Sequence, residues 1–433
     1  MKQIEQFNDH ASYSATGKPE GESRVSHIKV DNAVNFDGVN VEVNIPEMGD
    51  AVYHDGQRVR FYKGATLNHA KLSAAGLTAV SPVFGLVGNH ALIIDKNSSS
   101  EKYADVIQFW VSVPSESGAL TMGAQFVTAG TTTSISVDYE AGMPLASAAN
   151  TYEANDTSLC GRINTALANL SGITGDWWAY MDQDGNVILQ RDTWTEYRQY
   201  TCSGALTFVT WEDMPASSSY LKINGKTTSN RGIMNYERFR TKFSADGREL
   251  NANVAVGSES ADPMKLSEFQ SSQYAAEIRA YYKTYDAYLH GEFDILTPQK
   301  FGAFNLQSGK ELTEKYASHT APTKNGGTKY KFPAFRFCGN RSYSIEGLGA
   351  GSWFLPGVQE GLQLMNDDSL SMFNRTASKM ALPLIGKSTY RWLAQRSSVS
   401  NAWYFNGSYG TLYTLNASSA YTAQAVALLK IKN

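Results

Sequence analysis

Cysteine is nearly missing from this 433-residue chain. Cys160, Cys202 and Cys338 are far apart and odd in number. No CxxC pair or Cys/His cluster accompanies them, which argues against a zinc site and a disulfide framework. Either three buried thiols or a lone Cys160–Cys202 bridge fits that spacing. The seven histidines form no HxH, HxxxH or HExxH pattern, so no metal site is expected. The GxSxG nucleophile turn is absent, and the Gly-rich run Gly347–Ser352 lacks the Lys-Ser/Thr of a phosphate loop. Neither a catalytic set nor a cofactor follows, and the chain reads as a non-enzyme.

Charge of one sign is also lacking. The 38 basic and 41 acidic residues give a net charge of −3 with no long single-sign run, which speaks against nucleic acid as a partner. No stretch approaches the roughly 18–20 apolar residues of a membrane-spanning helix, and the first twenty residues lack the apolar core of a secretory signal. Synthesis and folding in a cytoplasm are expected, with any outer surface reached by a route other than secretion. Asp182–Asn186, "DQDGN", opens like a calcium loop, but Val187, Ile188 and Leu189 follow and no Glu closes it, so a hairpin turn is the better reading.

Aromatic residues, by contrast, are plentiful: 24 Tyr, 19 Phe and 8 Trp. They favour strands and contact surfaces. The fold class expected is α+β with strands dominating, in about three domains. Residues 1–115 read as a small β domain. Asp37-Gly38 and Asp55-Gly56 sit between alternating apolar positions, the pattern of a tight hairpin, and "HALIIDKN" and "DVIQFWVSVP" supply further strands. Residues 116–225 read as a middle α+β domain. There Ile135, Val137 and Tyr139 mark a half-buried strand, and Ser158 to Gly172 marks a capped helix. Residues 226–433 form the C-terminal part, with a long helix expected over 266–291 and a shorter one after Pro356. Its last strand, "AQAVALLKIK", is apolar on both faces and belongs inside a sheet.

Near the end lies "WYFNGSYGTLYTLNASSAY", Trp403 to Tyr421, without a single charge. Strict alternation would turn Trp403 and Phe405 into the core and Tyr404 and Asn406 outward. Tyr404, Asn406, Tyr409, Tyr413, Asn416 and Tyr421 are therefore the candidate ligand-binding residues. Their Tyr/Asn/Ser/Gly surroundings are those of antibody contact loops, and they face either a receptor or a neighbouring subunit.

The segment around these residues resembles the C-type-lectin-like modules of bacterial and phage surface proteins. Gly351 lies in a Gly-rich turn, Trp353, Leu355 and Pro356 in a Trp-x-Leu-Pro element, and Leu362 in the short helix. Tyr390 and Trp392 follow on a strand, then Ala402, Trp403, Tyr404 and Gly410, and Val426 on a last apolar strand. The match covers about 335–433. It implies a binding module whose contact residues lie on C-terminal strands and loops. The calcium motifs of animal lectins and the paired cysteines of the formylglycine-generating branch are missing, so neither activity is implied.

The texture of the N-terminal part is similar to virion proteins of crAss-like phages of Bacteroides-type gut bacteria. This resemblance implies a phage structural protein, a head fibre or tail fibre in the capsid decoration class. It would dock through its N-terminus onto capsid or tail proteins of the virion and present the lectin-like module to a host surface glycan or protein receptor. A homo-dimer or homo-trimer is implied, since weak sites gain from multiplicity. Two other readings are a bacterial surface adhesin with a lectin-like tip and a fibre enzyme that depolymerises capsule.

Overall fold

The computed structural model describes residues 28–30, 40–87, 90–195, 201–210, 222–223, 226–227, 299–301, 304–306, 309–357, 360–361, 364, 367–386, 389–398, 400–406 and 411–431. Within them strands dominate and helices are few, as the composition led us to expect.

The N-terminal strands are β1 (Ile28–Val30), β2 (Val41–Val43), β3 (Ala51–His54), β4 (Val59–Tyr62), β5 (Thr78–Val87) and β6 (His90–Lys102), with helix α1 (His69–Ala74) before β5. β3 and β4 form the hairpin predicted at Asp55-Gly56. Gly56 takes the left-handed φ of +93° that the turn requires, and Asp55 Oδ1 accepts the amides of Gln57 and Arg58. Asn68 caps α1 by accepting from Lys71 N. The Asp37-Gly38 turn lies outside the described residues, although β1 and β2 on either side of it pair antiparallel.

Next come β7 (Ile107–Val111), β8 (Gly118–Ala124), β9 (Thr133–Tyr139), helix α2 (Leu159–Asn169), β10 (Trp177–Met181), β11 (Val187–Arg191), β12 (Cys202–Gly204) and β13 (Leu206–Phe208). They build two sheets, β10-β11-β7-β13 and β12-β8-β9. Ile135, Val137 and Tyr139 are buried and alternate with exposed residues, as predicted. Ser158 Oγ caps α2 by accepting from Gly161 N. "DQDGN" forms the β10–β11 turn, where Asp182 Oδ1 accepts the amides of Asp184 and Asn186. Cys160 is buried, Cys202 half-buried, and neither is bridged.

Two short ladders, β14 (Lys222–Ile223) with β15 (Lys226–Thr227) and β16 (Gln299–Phe301) with β17 (Phe304–Leu306), lead to α3 (Gly309–Tyr316). The expected long helix over 266–291 lies outside the described residues. Then follow the hairpin β18 (Thr320–Pro322) and β19 (Thr328–Tyr330), α4 (Pro333–Gly339), β20 (Trp353–Phe354), α5 (Asp367–Lys379), β21 (Tyr390–Arg396), β22 (Asn401–Asn406), β23 (Thr411–Asn416) and β24 (Ala420–Lys430). Residues 360–361 and 364 are helical, where the short helix after Pro356 was expected, and α5 adds a helix that the sequence reading did not anticipate.

Strands far apart in sequence meet. β24 pairs antiparallel with β6 from Ala420↔Lys102 to Lys430↔His90, and β21 and β20 flank its other edge. The result is one 11-stranded sheet, ordered β1-β2-β4-β3-β5-β6-β24-β21-β22-β23 with β20 beside β24. The last strand therefore lies inside a sheet, as its two apolar faces predicted.

This pairing joins strands from the first and third of the units expected at 1–115, 116–225 and 226–433. β6 and β24 share a sheet, and their backbone groups satisfy one another along the ladder. The strand just before the expected border at 115 also pairs with middle strands. β7 sits between β11 and β13, with Ile107, Phe109 and Val111 buried against the middle sheets. Asp105 marks the junction. It is ion-paired to Lys102 at 2.6 Å and to Lys329 at 2.5 Å, and its carbonyl accepts from Trp194 N.

Helices α3 and α4 cover one face of the shared sheet. Tyr316, Phe332 and Phe335 from them and their flank pack toward Tyr103, which lies 5.2 Å from the Phe335 ring and 5.6 Å from Trp392. Pro333 suits the first turn of α4, where an amide hydrogen would have no helical acceptor. α5 is held to the N-terminal strands by Thr376 Oγ1, which donates to Gly49 O at 2.6 Å, and by Lys379 Nζ, which donates to Gly64 O and Ala65 O. Gly64 allows that approach, since a Cβ there would sit 2.0 Å from Gly49 O.

Candidate functional site

Five aromatic rings from four C-terminal strands converge on one sheet face. The register Trp392↔Tyr404 and Tyr404↔Tyr413 lines three of them across β21, β22 and β23, and directly opposed residues share a face. Tyr404 stacks on Tyr413 at 6.1 Å and meets Tyr421 edge-on at 4.9 Å. Tyr390 lies 5.6 Å from Tyr404 and 5.1 Å from Tyr421. Beneath them Trp392 is fully buried, and its indole N–H donates to Glu101 O at 2.8 Å.

Burial varies across this cluster and decides what each ring can do. Tyr390 is 37% exposed, Tyr413 and Tyr421 are half-buried, and Tyr404 is 8% exposed. Burial, then the neighbouring tyrosines, pushes the Tyr404 phenol up to about 12. The wall is thus a set of packed tyrosine rings with an accessible edge at Tyr390.

The outward placement of Tyr404 is corrected here. Alternation assigns one face to water only when that face is uncovered. Trp403 and Phe405 are buried on one face, as expected, and Tyr404 is buried on the other by the aromatic cluster. On the Trp403/Phe405 side the helical residues after Pro356 close over the sheet, where Gly361 lies against Leu393.

Asn416 also has a local task. Its Oδ1 accepts from Ser418 N at 3.0 Å and from Ser418 Oγ at 2.7 Å, closing the turn between β23 and β24. Tyr409, Gly410 and Leu362 lie outside the described residues, as does the side chain of Asn406. Of the six expected contact residues, the structure brings together Tyr404, Tyr413 and Tyr421. It adds Tyr390, whose place two residues before buried Trp392, on the same face of the strand, was the available signal.

The motif residues serve the core and its turns. Gly351 turns at φ +79°. Buried Trp353 donates its indole N–H to Leu348 O at 3.1 Å. Leu355 N donates to Thr313 Oγ1 on α3, and Pro356 O accepts from Ala394 N on β21. Trp392 and Trp403 are buried on opposite sides of the sheet.

Beyond this wall, a cleft of about 300 Å³ near β2 and β4 is lined by Glu42, Arg58, Arg60, Glu346 and Lys430. Its charges are already partnered in part, with Arg60 bridging Glu42 and Asp55 at 3.3 Å each. Among the described residues no three His, Cys, Asp or Glu side chains are placed to hold a metal ion. Comparison with protein-family models, curated proteins and solved structures found no match to this chain.

Proposed function

We propose that this chain is a structural component of a phage virion, a head fibre or tail fibre that presents a C-type-lectin-like C-terminal module for attachment to a host surface. The observation that carries the binding part is the aromatic wall, with Tyr390 exposed at its edge and Tyr413 and Tyr421 half-buried behind it. Rigid aromatic area held in place before contact loses little entropy on binding, as in other receptor-binding surfaces.

The lectin-like reading is supported by element order. A Gly-rich turn, the β20 strand, helical residues, and then β21, β22 and β24 follow one another as the motif order requires. The virion reading rests on the N-terminal resemblance. Docking through the N-terminal part and a homo-oligomeric assembly belong to the same proposal, since several copies would multiply one weak aromatic contact.

Labelled antibodies against the chain, imaged by electron microscopy on purified particles, test this reading. Label at regular positions on the head or on the tail is expected, and particles without label would overturn it.

A further inference from the structure

The outer face of the β10-β11-β7-β13 sheet lies over an open cleft of about 730 Å³, within the range of ligand sites. An outward sheet face bathed in water would carry scattered polar side chains. This one carries an ordered polar floor and one large exposed ring.

The floor is rigid. Gln108 Nε2 donates to Tyr180 Oη at 3.0 Å and to Gln190 Oε1 at 2.8 Å, and Tyr180 Oη donates to Gln190 Oε1 at 3.1 Å. Gln190 Nε2 in turn donates to Asp192 Oδ1 and to Pro322 O on the β18–β19 hairpin. Asp192 also accepts from Trp178 Nε1 at 2.7 Å and from Lys324 N at 2.9 Å. Gln108, Trp178, Tyr180 and Gln190 are all at most 4% exposed. A buried network with its members paired in this way holds a fixed geometry, and it clamps the hairpin that forms the opposite wall.

Trp110, two residues along β7 from Gln108, lines this cleft and is 40% exposed. Asn150, Gln183, Asp184 and Thr328 also line it. Asn150 is fixed by its backbone N–H, which donates to Met181 O at 2.7 Å, and it adopts φ +56°, a conformation that Asn tolerates better than most residues.

From this geometry we infer that the cleft is a binding site for a neutral polysaccharide chain, with Trp110 as the stacking platform. A pyranose ring offers a face of C–H groups to an aromatic plane and a rim of hydroxyls to amide and carboxylate side chains. The cleft supplies both. Asp182 and Asp184 stand against the single lysine Lys331 in the lining, which disfavours an acidic polymer. The cleft floor lies on a different sheet from the tyrosine wall, and the inference is independent of the fibre proposal.

The test is titration of the full chain with cellohexaose, xylohexaose, mannohexaose and maltohexaose, followed by intrinsic tryptophan fluorescence and calorimetry. Binding of at least one hexasaccharide is expected. Trp110→Ala should weaken it at least about tenfold, while Trp110→Phe keeps most of it. Both variants should still unfold cooperatively, since Trp110 is 40% exposed and lies outside the buried core. Substitution of Tyr390 and Tyr413 should leave this binding unchanged, which separates it from attachment through the wall. No binding to any of the four sugars, or equal binding by Trp110→Ala, would overturn the inference.

Discussion

Trp392 on β21 donates its indole N–H to the carbonyl of Glu101 on β6, across 291 residues of sequence. One hydrogen bond thus joins the aromatic wall to the strand on which the N-terminal sheet ends. With the β6–β24 ladder, it ties β6 and the C-terminal strands into one structural unit.

Truncation tests that unit. A chain ending at residue 225 leaves the β6 edge without β24 and exposes the apolar run Ala91–Ile94, a template for aggregation. Expression of residues 1–225 should give insoluble or oligomeric material by sedimentation. A soluble, cooperatively unfolding monomer would show that the N-terminal sheet stands alone.

Asp95 and Arg341 make a second long-range tie. Arg341 Nε donates to Asp95 Oδ2, and Tyr343 Oη donates to Asp95 Oδ1 at 2.8 Å. The Asp95 side chain is fully buried and that of Arg341 is 26% exposed. Removing one partner strands the other charge, so Arg341→Ala should cost about 3–5 kcal/mol. Adding Asp95→Asn to that variant should recover part of the loss. Urea unfolding of the single and double variants measures both.

Alkaline pH should destabilise the fold in two stages. Burial raises the thiols of Cys160, to about 12, and Cys338, and the phenols of Tyr53, Tyr103, Tyr180 and Tyr404. In each case the folded state keeps a proton that the unfolded chain loses at its ordinary pKa. The stabilisation is therefore complete below the unfolded value and falls as pH rises through the folded one. Unfolding free energy should decline from about pH 8.5, where free thiols ionise, and more steeply above about pH 10. A flat profile between about pH 8 and pH 11 would contradict the burial of these groups.

Parts of this architecture were legible in the sequence for local reasons. The Asp55-Gly56 and Asp184-Gly185 turns, the Ser158 cap and the two-faced apolarity of β24 each depend on a few adjacent residues. The partner of β24 did not show, because β6 runs on from the apolar "HALII" through the polar Lys96–Lys102, and its backbone pairing carries it beyond any apolar pattern. Tyr404 misled for a related reason: a period of two identifies opposite faces without saying whether either is covered. Gln108 and Trp110 carried the reverse signal. They alternate with buried Phe109, so a tryptophan stood on the strand's outer face in plain view.

The central claim is that the tyrosine wall makes the attachment contact through its exposed edge. The most direct measurement is adhesion of the purified chain to host cells, comparing the parent with a Tyr390→Ala, Tyr413→Ala double variant. Because Tyr390 is exposed and Tyr413 only half-buried, the variant should keep a cooperative fold. Adhesion should fall by at least about tenfold. A folded variant that adheres as the parent does would contradict the account.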